Sequence, residues 1–107
     1  MNVVHIASVK IGTPIAMGTD AAVGHHGRNA LEFELMTKAG MKPELALMTG
    51  TAHAAELLGV SDITGSLVSG KSADIIAVSG NPLRDMSATS RPLFVMKEGQ
   101  IYVEPKR

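Results

Sequence analysis

The sequence has no cysteine and no tryptophan, and its only aromatic residues are Phe33, Phe94 and Tyr102. The missing thiols exclude disulfides and thiolate zinc sites and fit a reducing compartment, so a cytoplasmic location is expected. The scarcity of rings means that a chain 45% hydrophobic must build its core from aliphatics and seven methionines. Thioethers fill space adaptably but specify one arrangement weakly. Net charge is missing as well, with ten Lys and Arg against ten Asp and Glu. No basic field exists to draw in nucleic acid or an anionic membrane surface, and neither is expected as a partner. No apolar run approaches the ~18 residues of a membrane span. The opening Met1-Asn2-Val3-Val4-His5 lacks the basic-then-apolar pattern of a secretory signal.

What the chain offers in the way of chemistry is concentrated in Pro14-Ile15-Ala16-Met17-Gly18-Thr19-Asp20. So short an apolar run suits a buried strand. The abrupt change to Thr19-Asp20 then puts a carboxylate at the strand's C-terminal mouth, where parallel α/β folds gather binding and catalytic groups. A local reading competes, since an aspartate after a strand commonly bonds turn backbone two residues on. The loop Gly24-His25-His26-Gly27-Arg28-Asn29 follows. Adjacent histidines diverge on an extended backbone, which argues against a two-histidine metal clamp. One of them reaching a site competes with a solvated loop in which Asn29 caps the next helix.

Elsewhere the pattern is that of ordinary packing elements. Val3, Val4, Ala7 and Ile11, followed by Gly12, predict a helix over 2–11. Residues 30–39 carry strong helix formers, acidic early and basic late, with Gly40 as the stop and Leu31, Leu35 and Ala39 as the packing stripe. Pro43 suits the first position of another helix whose apolar face is Leu45, Met48 and Ala52. Thr49-Gly50-Thr51 weakens its middle, and Thr51 is placed to cap a second piece ending at Gly59. His53, alone on that small-residue piece, reads as exposed or satisfied by a neighbour. From Gly65 the period changes. Residues 73–78, 93–96 and 101–103 read as strands of a small antiparallel unit, with Glu98-Gly99 as a tight turn. Gly70-Lys71 precedes a strand rather than a helix and reads as a turn, not a phosphate loop. Asp74 is expected to bond turn backbone, and residues 85–91 to be a polar connection.

Four pieces, Pro14 to Ala22, Gly24 to Asn29, Thr51 to Gly59 and Gly65 to Asp74, stand in the order and spacing of the amidohydrolase superfamily. The chain resembles its imidazolonepropionase-like and Xaa-Pro dipeptidase branch over nearly its whole length. The resemblance implies an α/β architecture, with residues 1–60 as the last strand and helices of a metal-dependent TIM barrel and 61–107 as part of the small antiparallel β-sandwich beside it. It makes residues 14–18 the eighth barrel strand and residues 2–11 the end of the helix before it. Asp20 then matches the aspartate that binds metal and shuttles the proton of the attacking water. His26 and Asn29 match residues beside the substrate pocket. The implied reaction is hydrolysis of an amide bond in a small molecule or dipeptide, with zinc or another divalent ion activating water.

The same resemblance shows what is missing. A TIM barrel takes about 250 residues, and this chain has 107. The family's His-x-His on strand one, its strand-four lysine or glutamate and its histidines on strands five and six have no counterpart here. The histidines present are His5, His25, His26 and His53. Zinc takes at least three protein ligands. Three readings follow: the C-terminal fragment of an amidohydrolase or peptidase, inactive alone; a non-catalytic structural or oligomeric module; or half of a split enzyme. In each, an apolar strand has to find cover, so the expected partner is a second copy or the missing N-terminal barrel portion.

Overall fold

The computed structural model describes residues 14–19 and 28–106. The expected helix over 2–11, Asp20 and His26 lie outside them. Three short helices come first: α1 (Leu31–Lys38), α2 (Pro43–Thr49) and α3 (Ala52–Leu57). Strand β1 (Ile75–Val78), a 3-10 helix (Met86–Ser90), β2 (Pro92–Lys97) and β3 (Gln100–Val103) follow.

The helix stops are set by glycine. Gly40 takes φ 105. Its N–H donates to the Thr37 carbonyl at 3.0 Å, and the Met41 N–H donates to the Met36 carbonyl at 3.2 Å. This pair of bonds closes α1 and swings Met41 back onto Met36, the contact such a terminus usually carries. Both side chains enter one buried cluster with Ala46 and Met86, against which Ile15, Met17, Phe33 and Leu47 pack. Gly59 (φ 72) ends α3 in the same way, with Val60 N–H donating to the Ala55 carbonyl at 2.9 Å. Pro43 opens α2 at its first turn, as its sequence position implies.

Several expectations are corrected. Thr51 does not cap α3 with its side chain; its hydroxyl donates back to the Leu47 carbonyl at 3.0 Å. The Leu47 carbonyl already accepts the Gly50 N–H at 3.2 Å, so the hydroxyl is its second donor at the end of α2. Leu31, Leu35 and Ala39 are half-buried, while Met36 is the buried residue of α1. Leu45 and Met48 are exposed, whereas Ala46 and Thr49 are buried. On α1 the difference comes from the stretch 85–91, expected to be a polar connection. It forms the 3-10 helix that lies against α1 and buries Met86 and Ala88. Asp85 starts it by accepting the Ser87 N–H at 3.0 Å.

Residues 14–18, expected as a strand, lie in no ladder among the described residues. A strand is defined by its neighbours, and the one backbone bond that segment makes among the described residues is from Met17 N–H to the Thr49 carbonyl, at 2.8 Å. The β unit is as expected, an antiparallel sheet in the order β1-β2-β3. Glu98 (φ 51) and Gly99 (φ 80) form the two-residue turn between β2 and β3, the doubly positive combination that matches strand twist. None of the described helices is long and apolar enough to cross a membrane.

Candidate functional site

Of the three residues singled out for the site, Asn29 lies within the described part. It is exposed in the turn before α1, and its carbonyl accepts the Glu32 N–H at 3.2 Å. Ala30 occupies the cap position and no side chain caps the helix, so the capping role considered for Asn29 is not taken. Residues 14–19 run directly into Asp20, and the bond from Met17 to Thr49 ties that run to the end of α2.

Thr49 is itself buried. Its hydroxyl donates to the Ala46 carbonyl at 2.6 Å and lies 3.6 Å from the Met36 sulfur. Thr49 and Gly50 stand out in the sequence only as a weak point in a helix. The available signal is a lone glycine inside a helical pattern, which costs about 1 kcal/mol relative to alanine.

Among the described residues no three His, Cys, Asp or Glu side chains gather closely enough to hold a metal ion. A zinc site with an open position takes three protein ligands, so the described residues do not fit the metal that the family resemblance implies. His53, half-buried on α3, joins no such group.

An open groove of about 540 Å³ lies between α3 and the sheet, with Ala55, Leu58, Leu67, Ile76 and Val95 in its lining. Its charged groups are Asp74 and Lys97. Asp74 is already committed to structure. Its carboxylate accepts the Glu98 N–H at 2.8 Å, the Thr64 hydroxyl at 2.8 Å and the Ser72 hydroxyl at 3.0 Å. These donors, the Glu98 amide foremost, hold its pKa below the usual 3.8. A carboxylate so engaged ties the loop at Thr64 to the hairpin turn and is a poor proton acceptor. The expectation that Asp74 bonds turn backbone is met.

Comparison with known proteins supplies what the described geometry does not. The sequence profile described as the amidohydrolase family matches residues 3–102. Ochratoxinase of Aspergillus niger is 37% identical over 103 residues, covering 92% of this chain and 21% of ochratoxinase. Imidazolonepropionase of Shouchella clausii is 34% identical over 105 residues, covering 92% of this chain and 23% of its own length. A crystal structure of an Xaa-Pro dipeptidase with methionine bound in its active site superposes with a TM-score of 0.91 at 41% identity, over 94% of this chain and 25% of that one. The chain therefore spans about a fifth to a quarter of the length of these relatives. The structural neighbours are TIM-barrel amidohydrolases, and the helices and three-stranded sheet seen here reproduce one part of them. With a profile match over residues 3–102 and a superposition of this quality at 41% identity, the chain belongs to the amidohydrolase family.

Proposed function

We propose that this chain is the C-terminal quarter of an amidohydrolase that cleaves an amide bond in a small molecule or dipeptide, and that it is inactive by itself. The observation that carries this reading is the superposition on the Xaa-Pro dipeptidase, which uses 94% of this chain and 25% of that enzyme. In this reading Asp20 is the carboxylate that the chain contributes to a zinc-type centre, and His26 and Asn29 are its contributions to substrate binding. The remaining ligands belong to the other three quarters of such an enzyme. Exposed Leu57, Leu58, Ile63, Leu67, Ile76 and Tyr102 support faces made to be covered by the rest of the enzyme. A cytoplasmic location accompanies this reading, supported by the lack of cysteine.

The test is a chimera in which residues 3–102 replace the matching quarter of the Xaa-Pro dipeptidase. A folded chimera is expected to hydrolyse its dipeptide. Asp20→Ala should lower kcat/KM on the order of a thousandfold, the scale of a lost acid–base group, with the melting curve unchanged. A folded chimera without hydrolysis would overturn the reading. Full activity in Asp20→Ala would remove Asp20 from it.

A further inference from the structure

The corner between α2 and α3 holds a glycine that backbone geometry does not require. Gly50 sits at φ −99 and ψ 0, a conformation open to alanine. What its position lacks is room. A Cβ there would lie 2.7 Å from Cζ and 3.0 Å from Cε1 of Phe33, and 3.7 Å from the Met17 sulfur. Phe33 comes from α1 and Met17 from the segment 14–19. The carbonyl next to Gly50, that of Thr49, accepts the Met17 N–H at 2.8 Å. Three stretches of chain thus converge on the one position without a side chain. Phe33 and Met17 also pack on the cluster of Met36, Met41, Ala46 and Met86. A ring pushed off Gly50 therefore gives up contacts with that cluster.

We propose that Gly50 and Phe33 lock the register of residues 14–19: bare backbone at Gly50 lets the Phe33 ring close over the corner, and the ring holds Met17 where its N–H meets the Thr49 carbonyl. Register matters here because a slip of one residue reverses which face of an extended segment each side chain takes. The segment runs straight into Asp20, so both are positioning residues. Their importance for hydrolysis, though not the lock itself, rests on the role proposed for Asp20.

The experiment is amide hydrogen exchange of Met17 in the full chain, followed by NMR in four proteins: wild type, Gly50→Ala, Phe33→Leu and the double variant. Wild type should protect the Met17 amide, and Gly50→Ala should cut that protection about tenfold or more while the β2 amides are unchanged. Leucine lacks the Cζ and Cε1 atoms that a Cβ would strike. In the Phe33→Leu background, adding Gly50→Ala should therefore cost no protection, since alanine at a compatible φ and ψ restricts the unfolded chain and is otherwise favourable. A helix-propensity effect of residue 50 alone cannot change sign between backgrounds. If Gly50→Ala does not fold, recovery of a folded double variant carries the same result. An unprotected Met17 amide in wild type, an unaltered one in Gly50→Ala, or equal losses in both backgrounds would overturn the lock. Asp20→Ala should leave Met17 protection intact, so failure of the Asp20 assignment in the chimera and failure of the lock are read separately.

Discussion

The helices and the sheet of this small protein are held by different means. The helical half packs Met36, Met41 and Ala46 with Met86 into one cluster, with Thr49 buried beside it and Ala55 buried on α3. No residue of the three strands is buried; Ile76 and Tyr102 expose 64% and 61% of their surface. The sheet is held by its ladder, by the Glu98-Gly99 turn and by the three hydrogen bonds to Asp74. One half is specified by shape matching among side chains and the other by turn chemistry. The two should fail differently when perturbed.

The largest effect is expected in the helical half. Met36 is 1% exposed, and Met36→Ala leaves a cavity beside Thr49, lined by Met41, Ala46 and Met86. A loss of about 2 to 5 kcal/mol is expected by urea unfolding, despite alanine's better helix propensity. Ile76→Ala, a deletion of similar size on β1, should cost under about 0.5 kcal/mol because the side chain is already largely in water. Comparable losses for the two would break the contrast, and would mean that something covers the sheet in solution.

This contrast also explains what the sequence disclosed. Gly40, Pro43, Gly59 and the Glu98-Gly99 turn were readable because each acts through its own backbone and needs no distant partner. Asp74 was readable only in its local bond to Ser72; its Glu98 and Thr64 donors stand 24 and 10 residues away in the chain. The buried faces were not. Periodicity offers Leu31, Leu35 and Ala39 a stripe, but the face that is buried is the one the 3-10 helix meets, and that helix returns fifty residues later in the chain. Leu45 and Met48 lost to Ala46 and Thr49 because α2 meets its neighbours closely, through small side chains. The site was read from the apolar run that ends at Thr19-Asp20 and from the family resemblance. Asp20 and His26 lie outside the described residues, and Asn29 lies exposed in the turn before α1.

A smaller effect is expected from acid. Hydrogen bonds from the Glu98 amide and then the Thr64 hydroxyl place the Asp74 pKa below 3.8 in the folded protein, with Lys97 adding in the same direction. A carboxylate whose pKa is lower folded than unfolded stabilises above the unfolded value, and that stabilisation is lost as pH falls through the folded one. Melting temperature should therefore decline once pH drops below 3.8. In Asp74→Asn the decline should be shallower. It should not vanish, because Asp85, bonded by the Ser87 hydroxyl and amide, is shifted the same way. Met36→Ala, by contrast, should lower the whole curve without changing its dependence on pH. An unaltered acid slope in Asp74→Asn would show that the clasp on the hairpin turn does not stabilise the sheet.

The smallest effect sharpens the comparison because its sign is opposite. Glu98 holds φ 51, a left-handed conformation that costs a glutamate more than an asparagine, whose short amide tolerates it. Asn-Gly is the favoured pair for a two-residue hairpin with both angles positive. Glu98→Asn should therefore stabilise, by about 0.5 kcal/mol, seen as a higher urea midpoint at unchanged slope. The substitution keeps the backbone N–H that Asp74 accepts, so the clasp survives and the gain reports the turn alone. It also changes nothing in the methionine cluster. Its benefit should add to the cost of Met36→Ala in the double variant, as independent sites do. A lower midpoint in Glu98→Asn would mean that the glutamate side chain, not the backbone of the turn, is what holds β2 and β3 in register.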